Sequence, residues 1–374
     1  MRFASQIPLS PTPQDHRFEG VTIPRRGSQR RNHRTQAPTE AQQNPMTDER
    51  PQVIVLVGPT AVGKTETVLQ LATALTVEII NADSMQVYRY MDIGTAKPSA
   101  TERALVPHHL LDVVDPDEDF DAYRYRDLGR VAVAEVWRSR RTALVVGGTG
   151  LYVKALVHGL FPGAPKSAEI RTRLRAEGEA MGAIHLFHRL AVVDPTTAER
   201  IHRRDLVRII RALEVWECSG RPISAWQREH GFREHPFRIL KIGLSVPRHE
   251  LYARIDDRVE RMMAQGLQEE VAWLLKRGYG PELKSMQSLG YRHLMRYLTG
   301  RTSFAEAVAT MKRDTRRYAK RQMTWFGRDS EIRWIHPTDR ESIARLVRAF
   351  LEDPEDQRGE DALGRCDKTV DNAP

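Results

Sequence analysis

The sequence predicts an α/β protein, with a parallel sheet core flanked by helices and an inserted all-helical domain. Three observations carry that prediction. A short apolar run, Val53 to Val57, leads through a glycine-bounded loop into an apolar stripe at helical spacing. Two further strand-like runs, one starting at Glu78 and one ending at Val146, each stop at a polar or glycine-rich turn, as buried parallel strands do. An arginine-dense stretch of helical pattern, from about Ser167 to Arg221, then separates two parts of the strand-and-helix pattern. The expected division is a core of 48–165 and 222–345, an insertion of 166–221, a disordered basic tail of 1–47 and a disordered acidic tail of 352–374.

The first run is β-branched and too short for a helix. Gly58, Gly63, Lys64 and Thr65 after it satisfy G-x-x-x-x-G-K-[ST], and Val68, Leu71, Ala72 and Leu75 follow at i, i+3, i+4 and i+7. Strand, loop and helix together make Gly58, Pro59, Thr60, Ala61, Val62, Gly63, Lys64 and Thr65 a P-loop. Its glycines let backbone N–H groups turn toward an anion, the helix N-terminus adds its dipole, Lys64 adds charge, and the Thr65 hydroxyl suits a magnesium ion. The pattern implies a P-loop NTPase-like core that binds a diphosphate or triphosphate. It names no reaction.

The second run ends in Asn81-Ala82-Asp83-Ser84-Met85-Gln86, which places a carboxylate just past the C-terminal end of a strand, the edge where open α/β sheets build their sites. Asp83 is therefore expected to face the P-loop, though it could equally cap the next turn or hold magnesium through water. The third run leads into Gly147-Gly148-Thr149-Gly150, where Thr149 reads either as a site residue or as a helix cap. Arg258, with Arg254 one turn before it, reads from its neighbours as a surface arginine paired with Asp256, Asp257 or Glu260.

Composition sets outer limits. With 374 residues, 40% hydrophobic and 29% charged, the chain has an ordinary soluble composition, and its longest apolar run falls far short of the roughly 20 residues that span a bilayer. Cys218 and Cys366 are too few for a disulfide framework and lack zinc-ligand spacing, which favours a reducing, cytoplasmic setting. His108-His109 do not share a helical face and have no third ligand at metal spacing, so they read as structural or as pocket polar groups. The net charge of +9 divides into +4 on residues 1–45, −5 on 352–374 and +10 on the body between them, where a polyanion such as nucleic acid would feel it. Met46, just before the first strand, is an alternative start.

The motifs "GPTAVGKT", "INADSMQVYRYMDIGTAKP", "VPHHLLD", "VVGGTGLYVKAL", "RALEV", "RIDDRVERM", "SLGYRHL" and "AKRQMTW" stand in the order found in tRNA dimethylallyltransferases, which the chain resembles over about residues 52–335. The resemblance implies that the P-loop holds dimethylallyl diphosphate with Mg²⁺, and that the five-carbon group goes to the exocyclic amino nitrogen of an adenine beside the anticodon of tRNA. It implies Asp83 as the base, Thr149 close to the amino group, and Arg258 as a second clamp on the diphosphate. Ser84, Met85 and Gln86 would line the pocket for the base.

For the anticodon stem-loop, the resemblance implies contacts from Arg171, from Val207, Arg208, Ile209, Ile210 and Arg211, and from Met286, Gln287, Ser288, Leu289, Gly290, Tyr291, Arg292 and His293. Arg313, Arg316, Arg317, Lys320 and Arg321 fall within about two helical turns and form a basic side suited to RNA phosphates, with Trp325 expected in the core. Leu206 and Val207 replace a proline and a glutamine of the family pattern. The chain lacks the C₂H₂ cysteine pair of many eukaryotic members, which favours the bacterial type, and a monomer is expected. The competing classes are a small-molecule P-loop kinase, an RNA-binding ATPase and an adenylate isopentenyltransferase, which prenylates a free nucleotide.

Overall fold

The computed structural model describes residues 50–160, 166–231 and 234–352. The expected tails lie outside these residues, except for Glu352 at the end of the final helix. The elements run β1 (Gln52–Val57), α1 (Lys64–Ala74), β2 (Val77–Asn81), α2 (Ala100–Leu105), β3 (His108–His109), α3 (Ala122–Arg138), β4 (Thr142–Gly147) and α4 (Gly150–His158). Helices α5 (Ala168–Met181), α6 (Ala183–Val193), α7 (Pro195–Ala198), α8 (Leu206–Ser219) and α9 (Ile223–His230) follow. The chain returns as β5 (Arg238–Leu244), α10 (Arg248–Ala264), α11 (Leu267–Lys276), α12 (Tyr291–Leu298), α13 (Phe304–Phe326), β6 (Arg333–Ile335) and α14 (Arg340–Glu352).

The described strands form one sheet in the order β3-β2-β4-β1-β5-β6, and every neighbouring pair is parallel. Parallel strands need crossovers, and the helices that supply them cover both faces. Strand β1 shows the result in its side chains. Val53, Val55 and Val57 enter one apolar cluster while Ile54 and Leu56 enter the other, as a period of two dictates. The first cluster takes in α3, α4, α11 and α12; the second takes in α1, α10 and α14.

Helices α5 to α9 build a third apolar cluster, around Leu174, Leu186, Leu190, Ile209, Leu213 and Val215. A group of buried ion pairs seals it. The Glu214 carboxylate is fully buried and accepts from Arg171 at 2.9 Å, from Arg211 at 2.9 Å and from the Ser167 N–H at 3.0 Å. Burial alone would raise its pKa, but the hydrogen bonds from Arg211 and Arg171 hold it below the usual carboxylate range.

Because β1, β2 and β4 are parallel neighbours, their C-terminal ends emerge on one edge. The loops leaving them, at 58–63, 82–86 and 148–149, are thereby brought together.

Candidate active site

The P-loop leaves β1 and enters α1 at Lys64, with Ala61 at φ 66 and Gly63 at φ 108. The Lys64 ammonium is folded back on the loop, donating to the carbonyls of Gly58 at 3.0 Å and Pro59 at 2.8 Å. Its pKa is lowered to about 8, by burial first and by the nearby Arg258 guanidinium second, with Asp83 partly opposing them. One loop amide is already engaged, since the Thr60 N–H donates to Oε1 of Gln322 on α13 at 2.9 Å.

The second wall forms where β2 ends. Asn81 Oδ1 accepts from the Asp83 N–H at 3.1 Å, and Asp83 Oδ1 in turn accepts from the Met85 N–H at 2.8 Å, two successive Asx turns that fix the carboxylate. Asp83 Oδ2 accepts no hydrogen bond among the described residues. Thr149 is not a side-chain helix cap. It stands at the N-cap of α4, yet its side chain makes no capping bond. Its Oγ1 accepts instead from the Ser84 N–H at 3.0 Å and lies 3.3 Å from Ser84 Oγ. The strand ends can approach this closely because residue 147 is glycine, as a Cβ there would sit 2.2 Å from the Ala82 carbonyl oxygen.

Between these walls lies a cleft of about 850 Å³. Thr60 to Thr65, Asp83 to Gln86, Arg258 and Arg261 on α10, and Tyr318 and Gln322 on α13 all face it. Thr149 stands just behind the wall and reaches the cleft through Ser84. Its other neighbour is Tyr318, whose hydroxyl interacts with Thr149 and Gln322 and whose pKa is raised by burial and by Asp83.

Arg258 lines the cleft and is not paired with Asp256, Asp257 or Glu260. It makes no ion pair among the described residues, and burial lowers its pKa although Asp83 opposes the shift. Arg254, one turn earlier, is tied to the Val62 carbonyl at 3.1 Å and to Glu250 at 2.5 Å. Asp256 is taken by Arg316 at 2.5 Å.

Several residues that the sequence marked for RNA contact lie elsewhere. Ile209 and Ile210 are buried in the cluster of α5 to α9, so of that stretch Val207 is the most exposed side chain. Arg208 pairs with Asp205, Arg171 and Arg211 with Glu214. From the segment 286–293, Gln287, Ser288, Leu289 and Arg292 face the cleft, whereas the side chains of Met286, Tyr291 and His293 are buried. Gly290, at φ 86, is the N-cap of α12. On α13, Arg321 faces the cleft, Arg317 and Lys320 point to solvent, and Arg316 is held by Asp256. Trp325 is 41% exposed, not core, because it lies on the outer side of Gly150. His109 is held by Glu78, while His108 bonds to the Val106 carbonyl and also lines a small pocket beside Lys64 and Asp83. No metal-holding group of three or more acids, histidines or cysteines occurs among the described residues.

Gln322 is the residue that sequence reasoning missed. The available signal was a polar glutamine on the buried stripe Met311, Thr315, Ala319, Gln322 and Phe326 of an otherwise amphipathic helix.

The donor set fits magnesium. Thr65 offers a hydroxyl at the first turn of α1 and Asp83 a carboxylate, and both face the cleft. Two hard oxygens without an acidic cage suit an ion that keeps several waters and takes its remaining ligands from a bound diphosphate.

Comparison with known proteins agrees with this geometry. A family model described as IPP transferase matches residues 86–329, and one described as isopentenyl transferase matches 51–112. A tRNA dimethylallyltransferase of Syntrophobacter fumaroxidans is 54% identical over 79% of this chain and 87% of its own, and one of Desulfosudis oleivorans is 52% identical over 81% and 96%. Among solved structures, the tRNA isopentenylpyrophosphate transferase of Bacillus halodurans superposes with a TM-score of 0.62 at 38% identity, covering 82% of this chain and 98% of that one. A eukaryotic dimethylallyltransferase described as acting on tRNA gives 0.69 at 27% identity, covering 81% and 80%. A sheet with its site at the carboxyl edge, a phosphate cradle facing a fixed carboxylate, and relatives alike over most of their length lead to one conclusion: the chain belongs to the IPP transferase family.

Proposed function

We propose that this protein transfers the dimethylallyl group of dimethylallyl diphosphate to the N6 amino group of the adenine 3′-adjacent to the anticodon in tRNA, releasing diphosphate. The observation that carries the reading is the single cleft in which an anion cradle and the fixed carboxylate of Asp83 face each other. The relatives named above support RNA as the acceptor.

The chemistry follows from the two walls. The allylic carbon–oxygen bond breaks as N6 attacks the same carbon, and negative charge collects on the departing diphosphate. Lys64, Arg258 and the amides at the start of α1 are placed to stabilise that charge in a partly desolvated site. Thr65 would hold a magnesium ion at the first turn of α1, and the ion would supply further neutralisation of the diphosphate. Adenine N6 is a weak nucleophile because its lone pair is delocalised into the ring. Asp83 takes the proton that N6 sheds as the bond forms, through the oxygen its Asx turn leaves open. Ser84, held by Thr149, and Met85 and Gln86 line the side that receives the base, which must leave the anticodon stack to enter. Contacts to the stem-loop from the cleft-facing Gln287, Ser288, Leu289, Arg292 and Arg321 and from the exposed face of α5 to α9 complete the reading.

The test is to incubate the protein with Mg²⁺, labelled dimethylallyl diphosphate and either tRNA, AMP or no acceptor, and to locate the label by nucleoside mass spectrometry. Prenylated adenosine in tRNA alone is expected. Label on AMP would replace this reading with a free-nucleotide prenyltransferase, and Lys64-dependent ATP turnover without transfer would replace it with a kinase or ATPase.

A further inference from the structure

We propose that Gln322 is a positioning residue that fixes the diphosphate cradle against the acceptor edge through one side-chain amide shared by Thr60 and Gly148. The proposal rests on the function proposed above.

Gln322 is buried, 5% exposed, on the inner side of α13. Its Oε1 accepts from the Thr60 N–H at 2.9 Å and its Nε2 donates to the Gly148 carbonyl at 3.0 Å. The partners dictate this orientation, since a backbone N–H can only donate and a carbonyl only accept, so the flipped amide would satisfy neither. The contact also explains glycine at 148, where a Cβ would sit 2.1 Å from Nε2. No other side chain hydrogen-bonds to both loops among the described residues.

The two ends of the bridge belong to opposite halves of the reaction. Thr60 lies in the loop that cradles the leaving group. Gly148 precedes Thr149, which holds Ser84 and hence the turn carrying Asp83. Beyond the last paired residues of β1 and β4, Val57 and Gly147, the sheet no longer fixes these loops relative to each other. The amide takes over there. In-line attack requires the allylic carbon and N6 to meet within a few tenths of an ångström, and a misplacement of about 1 Å can cost about 100-fold in rate. A residue that sets this alignment should therefore act on kcat while leaving each substrate's own contacts intact.

Gln322→Met keeps the length and removes both hydrogen bonds. Gln322→Glu keeps the acceptor toward Thr60 and sets an oxygen against the Gly148 carbonyl. Assayed well below their melting temperatures, both variants should lose about 100-fold in kcat, with the KM for each substrate and the affinity for inorganic diphosphate within about threefold of wild type. Gly148→Ala, which displaces the amide from the other side, should give the same signature. A Met variant with near-normal kcat, or one whose diphosphate affinity falls in step with kcat, would overturn the positioning role while the function stands. Wild-type protein that transfers nothing to RNA would overturn the function and this proposal with it.

Discussion

In α5 to α9 most arginines meet carboxylates: Arg171 and Arg211 share Glu214, Arg189 bridges Glu177 and Glu217, Arg173 reaches Glu217 and Arg208 reaches Asp205. In the cleft, Arg254 and Arg292 are paired with Glu250 and Asp314, but Arg258 and Arg261 meet no carboxylate among the described residues, and Arg321 has only the face of Tyr318, 5.6 Å away. The two groups cannot be told apart by composition, yet the first has its electrostatic demand satisfied by the fold and the second does not. A satisfied arginine holds helices together. A cation kept partly out of water without an ion-pair partner, as Arg258 is, favours any anion that arrives, and its unpaired donors lie beside a P-loop.

The largest effect should come from the group that faces these cations. Asp83→Asn should lower kcat by about 10²–10⁴-fold and leave RNA affinity largely intact; a collapse of affinity with kcat preserved would make Asp83 a binding residue. Arg258→Gln comes next, with kcat reduced by about 100-fold or more, as for loss of one donor to a developing charge. Steady-state kinetics with both substrates varied decides it.

Lys64 offers a pH test of the same idea. With a pKa near 8 it is charged below that pH and neutral above it, so affinity for inorganic diphosphate should fall as pH rises through 8, and calorimetry at pH 9 should show proton uptake on binding. The sign for stability is opposite. Between about pH 8 and the ordinary lysine value the unfolded chain binds a proton that the folded chain lacks, so Lys64 costs stability at neutral pH and less as pH rises. Lys64→Met should raise Tm at pH 7 while abolishing diphosphate binding, and a lowered Tm would contradict the desolvation argument.

On the paired side, Glu214→Gln leaves two arginines facing a buried neutral amide and should cost about 3 kcal/mol, read by denaturant unfolding. Because the folded carboxylate sits below its ordinary pKa, its contribution is present above that ordinary value and fades as pH falls through the folded one. The smallest effect belongs to Arg208→Gln. Its pair with Asp205 is exposed and should change stability by less than about 1 kcal/mol.

The P-loop was legible because its glycines, lysine and threonine lie in one short stretch whose conformation is local. Asp83 and Thr149 were legible as positions, since strand ends announce themselves. Their connection was not, because the Ser84 bridge spans 65 residues and forms only when β2 and β4 pair. Gln322 reaches Thr60 across 262 residues, and on its own helix it reads only as a polar interruption of an apolar stripe. Arginine pairing failed for the same reason. Arg171 and Glu214 are 43 residues apart on helices that meet only after the cluster around Leu174 and Leu213 has closed. Trp325 was misplaced because its large apolar ring suggested burial, whereas it packs against the half-buried Gly150 and stays 41% exposed.

The most direct measurement is calorimetric binding of inorganic diphosphate, with Mg²⁺, to Arg258→Gln and Arg171→Gln side by side. If unpaired cleft arginines are the anion site, Arg258→Gln loses at least about tenfold in affinity and Arg171→Gln stays within about twofold. Equal losses in both variants, or a larger loss at Arg171, would contradict the distinction between paired and unpaired arginines.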